Sequence, residues 1–243
     1  MNVINAQWPA PSNICAITTT RMGGVSQGDC ATLNLASHVG DNPAHVATNR
    51  KILYEGLDLP SEPIWLNQTH STTCVEVDVA SDFNADAAIS RQKNHVLAIM
   101  TADCLPILIC DHQGSEIAAI HAGWRGLAMG IVENTLAKMH ANLNHCMAWI
   151  GPAICGRCYA TGPDVLDQFS RRYPYASEAF TDLNGQWYAD LPKLATSILQ
   201  HSGLQAVDSS QLCTFEADSP FYSYRRSPQT GRIASLIWFK EGL

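Results

Sequence analysis

The sequence predicts a mixed α+β fold, and three observations support this. Runs of β type follow one another directly in some places and are separated by helical stretches in others, which favours α+β over a doubly wound sheet. Of the 243 residues 46% are hydrophobic and only 15% charged, so much of the chain must lie inside a sizeable core. No repeat, low-complexity tract or linker divides the chain, and one continuous domain spanning 1–243 is expected.

The elements follow in order. ICAITTTRMGGVSQGDCATLNLASHVGDNP starts as a strand and then becomes rich in Gly, Ser, Thr and Asn, the composition of a long polar connection that often carries a site. Arg21 stands at its base, with His38 and Asp41 near its end. From Pro43 a helix is expected, with Val46, Ile52, Leu53 and Leu57 near one face. PIWLNQTHSTTCVEVDV reads as two strands joined at Asn67-Gln68-Thr69-His70, and ADAAISRQKNHV as a polar crossover or short helix. VLAIMTADCLPILICD is too long and, with Pro106, too irregular for one central strand, so a bend at Ala102 to Cys104 is expected. A bend would let Asp103 and Cys104 face one cavity, whereas on a straight strand only one of them can.

The apolar run Ile117-Ala118-Ala119-Ile120 delivers His121 to a strand end before a break at Gly123. LAMGIVENTLAKMHANL then has helical spacing, and Arg125 with nearby backbone N–H groups suits an anion. CMAWI is a strand, followed by glycine and proline punctuation and a helix through PDVLDQF. YADLPKLATSILQHSG is a clearer helix: Asp190 caps it, Pro192 lies in its first turn, Leu191, Leu194, Ala195, Ile198 and Leu199 form its apolar face, and Gly203 ends it. The tail reads as the short strands LCTF and IASLIWF around a polar loop, FYSYRRSPQTGR.

Charge and cysteine usage exclude several classes. With 15 basic and 22 acidic side chains the net charge is −7, and no basic cluster exceeds an arginine pair, so nucleic acid is an unsuitable partner. A small anion meeting one or two local arginines is compatible with that balance. The first residues have neither a basic leader nor an apolar core, and no run reaches the roughly 18 apolar residues of a membrane span. The nine cysteines are odd in number and scattered, which favours a cytoplasmic protein with reduced thiols.

The phosphate-binding glycine motifs, HExxH and GxSxG are all missing. The one CxxC, Cys155 to Cys158, has no second pair for a zinc ribbon and no thioredoxin-like setting, and is expected to be structural. Nine histidines, no two of them spaced as His-x-His, are too few and too scattered for a trinuclear copper cluster. What remains is His70, Cys104 and His121, each at an interruption in an apolar segment. Two imidazoles and a thiolate suit a d10 ion such as Zn²⁺, leaving one position open as in a catalytic site.

The blocks TRMGGVS, LNLASHVGD with the following NR, LNQTHS, MTADCLPIL, HAGWRGL, GPAIC and FYSYRRSPQTGR extend in order from Arg21 to Arg232. In them the sequence resembles the family variously called laccase-domain proteins, multicopper polyphenol oxidoreductases, the peptidoglycan editing factor family or YfiH-like purine nucleoside phosphorylases. The resemblance implies a layered α+β fold, related to a bacterial toxin deamidase domain, with zinc ligands at His70, Cys104 and His121; copper is the second candidate ion. It implies phosphate-dependent cleavage of purine nucleosides (adenosine, inosine, guanosine and S-methyl-5'-thioadenosine) with adenosine deamination as a side activity. On this reading Asp103 joins the triad in catalysis, by orienting a ligand or moving a proton, while Arg21, Gln68, Arg125 and Arg225 contact substrate. The block after GPAI departs from the family's usual pattern, with Cys155 and Tyr159-Ala160-Thr161 where a glycine or serine and a Tyr/Phe-Glu-Val often stand, and substrate preference could shift accordingly. A Cys104–His121 thiol hydrolase acting on cell-wall precursors, the oxidoreductase of the family label, and a non-catalytic binding module are the alternatives.

Overall fold

The computed structural model describes residues 1–240. Its centre is two stacked β-sheets. The first has five strands, in the spatial order Val3–Asn5, Ile14–Thr19, Ile233–Phe239, Val96–Thr101 and Ile64–Trp65. The second has six, in the order Ala206–Ser209, Cys146–Ile150, Leu105–Asp111, Ile117–Ala122, Ala87–Ser90 and Cys74–Glu76. Both mix parallel and antiparallel pairs.

The layering follows from side-chain alternation along the strands. Leu108 and Cys110 of the second sheet point to the first, meeting Leu97, Ile99 and Ile237 in one buried cluster with Trp149. Ile107 and Ile109, one residue out of phase, point the other way. They pack under the helices Trp124–Met129, Ile131–Leu136, Pro163–Ser170 and Leu191–His201. On the far side of the first sheet, Ile17, Ala98 and Leu236 pack against Leu33 and Leu35 of the preceding loop and Leu53 of the helix Pro43–Gly56. Helices therefore cover both outer faces, and central strands such as Leu105–Asp111 are buried at every residue. That double coverage is why they read as continuous apolar runs. A small third sheet (Ala160–Thr161, Gln186–Ala189, Phe180–Leu183) is formed by the chain between two strands of the second sheet, Cys146–Ile150 and Ala206–Ser209. No helix among the described residues is long and apolar enough to cross a membrane.

The bend at Ala102 to Cys104 is the joint between the sheets: Val96–Thr101 belongs to the first and Leu105–Asp111 to the second. Pro106 nevertheless occupies a central strand, at its second residue, where its carbonyl accepts from Gly151 N–H. The helix Leu191–His201 has the expected cap, with the Asp190 carboxylate accepting from Lys193 N–H, and Gly203 follows it with φ 110°.

Three local expectations need correction. ADAAISRQKNHV holds a strand, Ala87–Ser90, not a polar crossover; its alanines have little β preference of their own, and burial between two neighbouring strands decides the matter. The stretch after Gly126 is two short helices, because Gly130 at φ 94° adopts the left-handed conformation that ends a helix. LCTF contributes only a single bridge, Cys213 to Ala153. The edge strand Ala206–Ser209, all four of whose residues are half-buried, is one for which the sequence offered no expectation.

Candidate metal centre

His121 is the fifth residue of the strand Ile117–Ala122 and stands at its carboxyl end, opposite Pro106. Cys104 closes the bend between the sheets, and His70 sits on the loop that leaves the first sheet after Ile64–Trp65. Their ligand atoms all lie within 4.8 Å of one another. His70 Nε2 is 3.8 Å from Cys104 Sγ, and the two imidazole rings meet edge to face with centroids 4.8 Å apart. His70 (φ 62°) and Asp103 (φ 93°) both hold left-handed backbone without being glycine. Strain of this kind, about 1–3 kcal/mol each, persists only where the surroundings over-determine it.

At His70 a residue that the sequence reading missed supplies that constraint. Asp86, fully buried, accepts from His121 Nδ1 at 2.7 Å and from His70 N–H at 3.0 Å on one oxygen. Its other oxygen accepts from Thr69 N–H, Ser71 N–H and the Ser71 hydroxyl at 3.1, 2.6 and 2.7 Å. One carboxylate thus shapes the His70 loop and fixes the His121 ring, leaving Nε2 for a ligand. The available signal was an aspartate set among alanines just before a buried strand.

Burial works against charge at all three sites, and each time specific partners prevail. Hydrogen bonds from His121 and Ser71 hold the Asp86 carboxyl at about 2. Burial would raise the Cys104 thiol, but His121 and then His70 draw it down to about 6. Burial would lower His121, but Cys104 and Asp86 lift it to about 9. The cluster therefore favours a thiolate, the form that ligates metals and attacks electrophiles.

Gly123 leaves room for the cluster. A Cβ there would lie 2.6 Å from His70 Cδ2 and 3.2 Å from Cys104 Sγ. The soft sulfur, two imidazoles, one of them oriented by Asp86, and a wall without a side chain fit a thiophilic ion of the zinc type.

The cluster opens into a cavity of about 510 Å³, whose lining includes Gln68, Asp103, Arg125 and Arg225. Arg21 is not among the residues that line it. Gln68 spends both ends of its amide on Met100, donating to its carbonyl and accepting from its N–H at 2.8 Å, and so continues the sheet edge. Asp103 accepts from the Thr214 hydroxyl (2.6 Å), the Ser223 hydroxyl (3.0 Å) and Arg225 N–H (2.7 Å). Arg125 lies over the Trp124 ring at 4.4 Å, and Arg225 over Tyr159 at 4.9 Å while donating to the Ala160 carbonyl. His38, Trp124, Tyr159, Tyr224 and Arg232, none of them chosen from the sequence as a site residue, also line the cavity. Three guanidinium groups and three aromatic rings therefore surround the open side of the cluster.

The fold and the site together define a class, an α+β protein with a His₂Cys cluster at the floor of a cationic, aromatic-walled cavity. The chain belongs to the multi-copper polyphenol oxidoreductase laccase family, whose model matches residues 15–240. It is 41% identical over 238 residues to the purine nucleoside phosphorylase YfiH of Escherichia coli K12, covering 97% of this chain and 98% of that protein. It is 43% identical over 240 residues to the purine nucleoside phosphorylase PA4543 of Pseudomonas aeruginosa, covering 98% of each. Among solved structures, Neisseria meningitidis protein NMB0706 matches with a TM-score of 0.93 and 45% identity, over 99% of this chain and 100% of that one.

Proposed function

We propose that this chain is a metal-dependent purine nucleoside phosphorylase. The observation that carries the reading is the cluster's position at the floor of a cavity with Arg125, Arg225 and Arg232 on its walls. The names of the E. coli and P. aeruginosa relatives support it. In the reaction the C–N bond between sugar and purine breaks, a C–O bond to phosphate forms, and the departing base takes up a proton. His70, Cys104 and His121 would hold Zn²⁺, which when bound supplies a localised positive charge for an oxyanion.

The chain's own residues do the rest. The guanidinium forks of Arg125 and Arg225 bind phosphate oxygens in pairs, and stacking on Trp124 and Tyr159 holds those forks in place. Asp103 positions the 223–225 segment by accepting from the Ser223 hydroxyl and Arg225 N–H, so that Arg225 faces the cavity. The rings of Trp124, Tyr159 and Tyr224 offer flat apolar faces to a purine. Burial pushes the Tyr159 hydroxyl up to about 12, so it keeps its proton as a hydrogen-bond donor. Inosine, guanosine, adenosine and S-methyl-5'-thioadenosine are the proposed substrates, with hydrolytic deamination of adenosine as a side activity.

A second reading rests on a specific observation. Cys104, His121 and Asp86 stand in the order of a thiol hydrolase, nucleophile to base to orienting carboxylate, with the thiol held at about 6. A multicopper oxidase has less support, because the two groups of candidate ligands among the described residues contain at most two imidazoles each.

The test is to incubate the purified protein with inosine or adenosine, with and without phosphate, and follow free base and sugar phosphate. Base release that requires phosphate and stops with a chelator supports the proposal. No release in either condition defeats it. Activity that ignores chelation and phosphate favours the thiol hydrolase.

A further inference from the structure

Cys155 and Cys158, the CxxC pair left without a role by the sequence, have a third cysteine beside them. The Cys155 to Cys158 segment is a tight turn, with Cys158 N–H and Tyr159 N–H both donating to the Cys155 carbonyl. Cys213 arrives from 55 residues further along the chain, through the bridge that pairs it with Ala153. Glu216 follows three residues later. The three sulfurs and a Glu216 oxygen all lie within 4.8 Å of one another. In a tetrahedral site with Zn–S bonds near 2.3 Å, the sulfurs are about 3.8 Å apart, so little movement is needed.

We propose that Cys155, Cys158, Cys213 and Glu216 form a second metal site, a structural one, that takes a thiophilic divalent ion of the Zn²⁺ type. The backbone already turns hydrogen-bond donors toward one of the sulfurs. Cys155 N–H points at Cys213 Sγ over 3.4 Å, and the N–H groups of Phe215 and Glu216 also face that sulfur. The Arg226 guanidinium draws the carbonyls of Thr214, Phe215 and Glu216 to itself at 2.9–3.3 Å, which curls the loop so that its N–H groups turn inward. Arg157 pairs with Glu216 at 3.0 Å, so a cation already adjoins a cluster that would carry excess negative charge. Three sulfurs also cannot be consumed by disulfides among themselves, since any pairing leaves one over. With four protein ligands the coordination sphere is closed, the mark of a structural site rather than a catalytic one.

This site would brace the cavity. Thr214, next to Cys213, donates to Asp103, and Tyr159, next to Cys158, lines the cavity wall. An ion here would tie together the two loops that carry these residues.

The test uses the reduced full-length chain. Metal analysis after purification with added Zn²⁺ should give two equivalents per chain, and Cys213→Ser should give one. A His70→Ala/His121→Ala chain should still bind one Co²⁺, with the intense sulfur-to-cobalt absorption of several thiolates, and adding Cys213→Ser should abolish it. Glu216→Ala changes an exposed side chain and leaves the core alone; it should weaken Co²⁺ binding in that double variant at least about tenfold. A Cys213→Ser chain that binds as many equivalents of Zn²⁺ as wild type overturns the proposal. So does a His70→Ala/His121→Ala chain that binds no Co²⁺, or unchanged affinity in Glu216→Ala.

Discussion

Replacing Asp86 by asparagine probes the centre without touching a ligand. The wild-type carboxylate accepts five hydrogen bonds, two on one oxygen and three on the other. An amide can keep only one of those sets. If its oxygen stays on the His121 side, its NH₂ faces the N–H groups of Thr69 and Ser71, donor against donor. Two backbone N–H groups then lose their acceptor, at about 1–3 kcal/mol each. The loop is only partly buried, so about 2–4 kcal/mol in total is the expected cost. If the amide flips, His121 loses its orienting partner instead. Either way the imidazoles are less well held, and metal affinity should fall about 10- to 100-fold. Competition against a chromophoric chelator measures the affinity, and thermal melting of the metal-free chain measures the stability. For a chain of this size about 2–4 kcal/mol corresponds to a drop of roughly 5–15 °C. A variant that binds Zn²⁺ as wild type does and melts at the same temperature would refute the role given to Asp86.

Other variants extend the test. Gly123→Ala should lower metal affinity and activity together while the fold survives, since the new Cβ would stand 2.6 Å from His70 Cδ2; a metal titration and circular dichroism decide it. Arg125→Ala should raise the phosphate KM more than it changes the nucleoside KM, and equal effects on both would count against a phosphate contact. Leu53→Ala, at a fully buried position, should destabilise by about 2–5 kcal/mol in a denaturant titration, with no change in metal stoichiometry. Burial disfavours the charged Asp111 carboxylate, but hydrogen bonds from Glu116 N–H and Ser115 outweigh it and hold the group below its ordinary value of 3.8. The stabilisation is therefore present above that value and lost as the pH falls below it. The stability gap between wild type and Asp111→Asn should accordingly be full at neutral pH and close in acid; a gap independent of pH would contradict the assignment.

The sequence was most legible where one local signal settled the structure. The helix Leu191–His201 announced its cap, its apolar face and its glycine stop, and Pro106 with the polar Thr-Ala-Asp-Cys break marked the joint between the sheets. The convergence of His70, Cys104 and His121 was legible because each interrupts an apolar run, which places a chemically active side chain at a strand end or bend. What stayed hidden depends on partners distant in sequence. Ala87–Ser90 is a strand because its neighbours bury it, and nothing in four small residues declares that. Asp86 looked like one more polar residue, since its five donors lie 15 to 35 positions away. Cys213 could not be joined to the CxxC pair without the single bridge that brings it to Ala153.

The joint at Ala102 to Cys104 has a mechanical consequence. His70 hangs from one sheet, His121 from the other, and Cys104 from the chain that passes between them. Sliding one layer over the other by even an ångström would deform the triangle of donor atoms. An ion seated there acts as a rivet through both layers, and its binding strength gauges how well the two halves of the sandwich are aligned.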